Sequence, residues 1–568
     1  MTVCTSDGQY RLWGAFGTPS DKDCNKSGLL MSKKKTTIRR SPRGVSSRKT
    51  PAALRRAKTL KSFAASPAIE GSPSGNPELM VVGDSLAQGV RSMSFRPDFA
   101  AQCVGARVAA SQGWAFQVQK HPRPVLFDVE AEVRQLSLVG ALFRRKLIAG
   151  ICDRINRNFE TWMQELVDSP TVRDVPPFDN LAVGGALIPD LLTPARVWRQ
   201  FLRDNRQFRL NVDDVLDGNG LSVVTELFKA INFAYVLNPA NKPEWEERSA
   251  LSWLRERQPK RVLVSIGHNE ALWDVGFLAK DQEVTIDQLQ GLDAVAEALS
   301  VLDAEWVCWD LLPKVSAVAN LDPVSTEWTD RGPGQPDNYC QRYQPVLSTG
   351  GSSLAGPRLQ EIDRSIVTTN EAIQEKLRAV FTAAGHADRI RFFDDFAFFV
   401  EHDFKNQPDS EAPASRRLRV EFPYQNRTQR IDNRYLCAFY SEVPGTKPQG
   451  KFIPKVKQVV AGGIQSLDGM HPSAVGYVLK AAALTQQKDL GLKSIENPNA
   501  LLAQAFEDDS LTRDFPTIVN TVRSFLRALQ KFPQGSETAG AKESPPVQDE
   551  EHQCAVAWVR LMSSSMTA

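Results

Sequence analysis

Serine, histidine and a carboxylate are enough to cut an ester without a cofactor, and this chain offers them in order. Ser85 follows Gly83 and Asp84 at the end of the apolar run "ELMVV" (78–82). Read plainly, such a serine caps a helix. It becomes a nucleophile only if a base takes its proton, a carboxylate orients that base, and N–H donors face the oxygen where charge grows. Of the six histidines, His471 is the one with a carboxylate at short loop spacing, because "LDGMHPS" puts Asp468 three residues before it. That spacing lets Asp468 reach the imidazole Nδ1 while Nε2 points elsewhere, and Pro472 fixes the exit into a helix. His121 lies in a Pro-flanked loop, His552 near the C-terminus, and His386 and His402 in polar surroundings. Two further turns carry donors. "NLAVGG" (180–185) ends in two glycines, where backbone N–H groups approach a ligand without a Cβ in the way. "GHN" (267–269) offers Asn269, an uncharged side-chain donor. Each of these alone is more often a tight turn than a site.

The elements that must position these residues alternate along the chain. "ELMVVGD" (78–84), "DNLAV" (179–183), "RVLVSIG" (261–267), "EWVCWD" (305–310) and "RIRFFDD" (389–395) are short apolar runs closed by Gly or Asp, which predict buried strands. Helical spacing marks 99–110, 359–384 and the stretch after "GMHPS" (469–473). Strands alternating with helices predict an α/β fold, a three-layer α/β/α sandwich with a mostly parallel sheet. Chemistry in such folds gathers outside the carboxyl ends of the strands, where the four turns fall. Segments 128–151 and 221–237 read as extra helices, and 323–353 and 410–435 as loops or a small excursion.

Taken together and in order, the four blocks resemble the SGNH (GDSL) hydrolase family. They are Gly83-Asp84-Ser85-Leu86, Asn180-Leu-Ala182-Val-Gly-Gly185, Gly267-His268-Asn269-Glu270 and Asp468 through Pro472. The resemblance implies a flavodoxin-like fold and ester hydrolysis through an acyl-enzyme. Carried over by position, Ser85 is the nucleophile, His471 the general base and Asp468 its orienter. The oxyanion hole is the Ser85 and Gly185 backbone amides with the Asn269 side chain. No metal and no cofactor is implied. Thioesterase and polysaccharide deacetylase chemistry would use the same residues, and an inactive interaction protein would keep the fold without the reaction. Glu270 stands where the family has Asp, a position that supports the turn. His268 faces the site by position and reads as a satisfied turn histidine. The blocks are widely spaced, and the intervening insertions suggest a cap over the pocket.

Composition limits the other classes. The apolar fraction is 42% over 568 residues, enough for a large core. Eight cysteines without C-x-x-C spacing indicate neither a disulfide framework nor a zinc site. No G-x-S-x-G, H-E-x-x-H or Walker A motif is present. Twelve Lys/Arg and no acid fill 33–61, leaving 57 basic against 66 acidic residues elsewhere. That places the basic charge on a disordered arm (1–75) and makes the body a poor nucleic-acid binder. The hydrolase domain is expected at 76–490, with insertions around 112–175, 205–250, 320–356 and 403–460. A helical extension (491–533) and a disordered tail (534–568) follow. With no signal peptide or transmembrane run recognised, a cytoplasmic location and a small-molecule or lipid ester partner are the expectations.

Overall fold

Four of the apolar runs pair into one parallel sheet: β1 (Met80–Gly83), β2 (Arg261–Ser265), β3 (Trp306–Asp310) and β4 (Ile390–Phe393), side by side in that order. The computed structural model describes residues 76–135, 144–216, 221–323, 339–345, 353–403, 420–431, 464–466 and 468–509, with short strands at 2–4, 10–12, 441–442 and 457–459. The chain divides into two units, Met1–Glu70 and Gly71–Ala568. In the first, Thr2–Cys4 pairs antiparallel with Tyr10–Leu12. The rest of the expected basic arm, the 510–533 part of the expected helical extension and the 534–568 tail lie outside the described residues.

The second unit is α/β. Its strands read as continuous apolar runs because both faces are covered. On one face Leu79, Val81, Leu263, Trp306, Cys308 and Phe393 pack with Val104 and Val108 of α1 (Val104–Gln112) and Val475 and Val478 of α2 (Ala474–Thr485). Each fully buried Val or Leu of this kind contributes about 1.5–3 kcal/mol. Helix α2 is apolar nearly all round, so it is buried nearly all round. Its one charged residue, Lys480, is buried too and therefore needs partners. This arrangement is compatible with three layers.

The second expected strand, 179–183, is reduced to a single parallel bridge, Val81 with Asn180. Three hydrogen bonds still run it along the outer edge of β1: Val81 N to Asp179 O, Leu181 N to Val81 O and Val183 N to Gly83 O. It therefore flanks β1 on one side while β2 flanks the other. The excursion at 323–353 is bordered by Leu321–Pro323 and Leu354–Ala355, which form a small antiparallel sheet with Arg342–Pro345 inside it. The stretch 410–435 contributes a hairpin, Val420–Tyr424 with Arg427–Ile431, rather than loop alone. Its turn residues Gln425 and Asn426 both have positive φ, as a two-residue hairpin of this hand requires. Segment 128–151 forms Val129–Gln135 and the start of Arg144–Met163, with 136–143 outside the described residues.

Candidate functional site

The serine turn is built by backbone approach at the end of β1. A Cβ on Gly83 would stand 1.9 Å from Ser265 O, so only glycine lets β1 and β2 finish this close together. The chain then turns at Asp84, whose N–H donates to Ser265 O at 2.9 Å. Asp84 Oδ1 caps the short helix Ser85–Gln88 by accepting from Leu86 N, 3.1 Å. Asp84 Oδ2 accepts from His268 Nδ1 at 2.7 Å, which ties the first block to the third.

The second block is bound to the same helix. Asn180 Nδ2 donates to Ala87 O (3.0 Å), and Gly184 N donates to Gln88 Oε1 (2.7 Å). Gly185 has φ +78°, while the nearest atoms to a Cβ there are 3.9 Å away on Lys229. Glycine is needed at this position for its backbone conformation, not for room. Asn269 Nδ2 donates to Ala186 O at 2.9 Å, aligning the third block with the second. Glu270 Oε1 accepts from Ile188 N at 2.5 Å, which ties the third block to the segment that follows the second. Burial pushes the Glu270 carboxyl up to about 8.

Asp468 and His471 meet as their spacing predicts. His471 Nδ1 donates to Asp468 Oδ2 at 2.7 Å. The same carboxylate accepts from Met93 N (2.7 Å), Met470 N (2.9 Å), His471 N (2.9 Å) and Ser466 Oγ (3.2 Å). Burial works to raise Asp468, but the adjacent imidazole and these donors hold it below the usual carboxylate range. The loop is anchored to the segment that leaves Ser85: Ser92 N donates to Ser466 Oγ and Tyr477 OH to Val90 O, both at 2.8 Å.

Ser85 and His471 are 5% and 3% exposed, yet neither Ser85 Oγ nor His471 Nε2 is among the fully enclosed, unpartnered atoms. Ser85 Oγ and His471 Nε2 are not hydrogen-bonded to each other. Such contacts often tighten only around substrate. Among the described residues the N–H groups of Ser85 and Gly185 make no hydrogen bond. Two backbone donors and one side-chain amide thus belong to turns that the hydrogen bonds draw together, and the histidine–carboxylate pair is bound to the same assembly. A surface depression lined by Gln374, Arg378, Arg391, Phe392 and Asp489 contains none of these residues.

Sequence reading missed a buried charge network behind the serine turn. His268 does not end as a satisfied turn residue: its Nε2 is buried and unpartnered. Burial opposes its charged form, but the Asp84 carboxylate and its hydrogen bond leave it above the usual imidazole range. Nearby, Lys480 Nζ donates to Asp310 Oδ2 (2.7 Å) and Asp395 Oδ2 (2.9 Å), and Ser265 Oγ donates to Asp310 Oδ2 (2.6 Å). Burial pushes Asp395 up to about 7 against the pull of Lys480. The only sequence signal was an acid at two successive strand ends. Among the described residues, His268, Asp310 and Asp395 are the group able to hold a metal ion. His121, which does lie in a loop, and His402, whose sequence surroundings are polar, are both buried. His121 Nε2 donates to Asn232 Oδ1 and its ring packs edge-on to Phe95. His402 Nδ1 donates to Phe398 O at 2.6 Å.

No protein-family model matches the chain, and neither does any curated protein or solved structure. No described helix is long and apolar enough to cross a membrane.

Proposed function

We propose that this protein is a serine ester hydrolase of the SGNH type, acting through an acyl-enzyme on Ser85. The observation that carries the reading is the Asp468–His471 pair, 2.7 Å apart, on a loop hydrogen-bonded to the segment leaving Ser85. The segment order supports it as well. Counting 179–183, the sheet runs second, first, third, fourth, fifth in chain order, which is the flavodoxin-like arrangement, and Ser85 sits at its switch point beside β1.

In this mechanism Asp468 holds His471 with the proton on Nδ1, leaving the Nε2 lone pair free to act as base. Ser85 Oγ attacks the ester carbonyl carbon while its proton passes to His471 Nε2. The carbonyl oxygen becomes the oxyanion, which the Ser85 and Gly185 N–H groups and Asn269 Nδ2 stabilise. Collapse breaks the bond to the alcohol, which leaves with the proton from Nε2. Water then attacks the acyl-enzyme, giving its proton to Nε2, and the acid is released as Ser85 recovers that proton. Asp84 and Glu270 act indirectly, by fixing the turns that carry the donors.

The test is hydrolysis of nitrophenyl esters of increasing chain length by the full chain and by Ser85→Ala, with acyl-CoA and acetylated sugars as parallel substrates. Turnover of at least one class, lost in Ser85→Ala, supports the reading and names the substrate. Equal turnover by the two proteins overturns it.

A further inference from the structure

We propose that His268, Asp310 and Asp395 form a binding site for one divalent first-row metal ion, set behind the serine turn and joined to it through Asp84. The three residues leave the carboxyl ends of adjacent strands β2, β3 and β4, and each offers a ligand atom within 4.8 Å of the others. Three ligands about 2.0–2.2 Å from one ion lie about 3.3–3.8 Å apart, so the ligand atoms must draw together by up to roughly 1–1.5 Å as the ion binds.

One polar atom of each residue is unused by the fold's hydrogen bonds. His268, Asp310 and Asp395 are 8%, 2% and 0% exposed. His268 Nε2, Asp310 Oδ1 and Asp395 Oδ1 are each enclosed without a hydrogen-bond partner. Native proteins leave few such atoms unpaired, because each costs a substantial desolvation penalty. Here each of the three clustered residues carries one. The opposite atom of every ligand is meanwhile held. Asp84 Oδ2 accepts from His268 Nδ1, Ser265 and Lys480 donate to Asp310 Oδ2, and Lys480 donates to Asp395 Oδ2. A carboxylate on the far nitrogen of an imidazole fixes the tautomer that presents a lone pair to a metal.

Charge leads to the same occupant. Ionised, Asp84, Asp310 and Asp395 carry three negative charges against the one positive charge of Lys480, all of them buried. With His268 neutral, as a ligand must be, the deficit of two positive charges is that of a divalent ion. One imidazole and two carboxylates suit Mn²⁺, Co²⁺, Fe²⁺ or Zn²⁺ better than Ca²⁺, which takes oxygen ligands. No local motif announces the site, because its ligands are supplied one per strand. The proposal does not depend on the hydrolase reading.

The experiment uses the full chain, stripped with chelator and titrated separately with Mn²⁺, Co²⁺ and Zn²⁺ by calorimetry and thermal melting. One ion per chain and a rise in melting temperature are expected, and Asp395→Asn and His268→Gln should weaken binding by at least tenfold. Electron spin-echo spectroscopy of the Mn²⁺-loaded wild type should report one coordinated imidazole nitrogen, a readout independent of whether the variants fold. Absence of binding by all three ions at millimolar concentration overturns the site and leaves the cluster neutralised by protons. Binding without a nitrogen ligand, or unchanged in folded variants, overturns it equally.

Discussion

Replacing Asp468 with Asn separates what the carboxylate does for the loop from what it does for the base. Oδ1 accepts from three donors, Met470 N, His471 N and Ser466 Oγ, and Oδ2 from two, Met93 N and His471 Nδ1. An asparagine keeps the larger set by leaving its oxygen at Oδ1, which turns its amide nitrogen toward two groups that also donate. Two charge-assisted bonds at about 1.5–3 kcal/mol each are lost, so the variant should be less stable by about 3–6 kcal/mol. That is a large share of the ~5–15 kcal/mol typical of a domain, and assays belong well below the variant's melting temperature. Catalysis should fall further than stability alone explains. The amide nitrogen favours the imidazole tautomer with its proton on Nε2, which cannot accept from Ser85. The expected loss is about 10⁴-fold in kcat, or about 5.4 kcal/mol, with KM within about threefold. Ser466→Ala is the control, since it removes one bond to Oδ1 and the anchor to Ser92 but leaves the imidazole contact. It should cost less than about tenfold. Steady-state hydrolysis of nitrophenyl acetate, with circular dichroism to verify folding, checks both. A folded Asp468→Asn protein within tenfold of wild-type kcat would refute the reasoning.

Two further expectations follow from other parts of the molecule. Asn269→Ala should lower kcat by roughly 10²–10³ with little change in KM, because its donor matters most when the oxyanion forms; a change confined to KM would make Asn269 a substrate-binding residue instead. Burial lowers His121 to about 3 and His402 to about 4, so the unfolded chain binds protons there below about pH 6.5 that the folded chain refuses. Their contribution is whole above that pH and fades as pH falls, by about 2 kcal/mol each at pH 5. The urea stability of wild type minus that of His121→Gln/His402→Gln should therefore decrease by about 4 kcal/mol from pH 8 to pH 5; a difference independent of pH would disprove the assignment.

The parts of this molecule legible in the sequence are those encoded locally. Strands β1 to β4 and the long helices follow apolar runs of the right period, and Asp468 reaches His471 because three residues on one loop suffice. Segment 179–183 runs along β1 through three hydrogen bonds but, ending in glycines, forms a bridge rather than a full strand. The hairpin at 420–431 was underread, its turn lacking the usual Asn-Gly signal. Contacts between distant residues were not legible at all. Asp84 meets His268 across 184 positions, and Lys480 meets Asp310 across 170. Nothing in the neighbourhood of either residue encodes the other; the parallel sheet brings them together by aligning strand ends. The burial of His121 and His402 was hidden for the same reason, because it comes from elements remote in sequence.

The most direct measurement for the central claim is reaction of the intact protein with a fluorophosphonate, followed by mass mapping of the modified residue. The account predicts one adduct per chain on Ser85, blocked by prior turnover-competent substrate and absent from Ser85→Ala. An adduct on a different serine, or ester hydrolysis that persists with Ser85 unmodified, would contradict it.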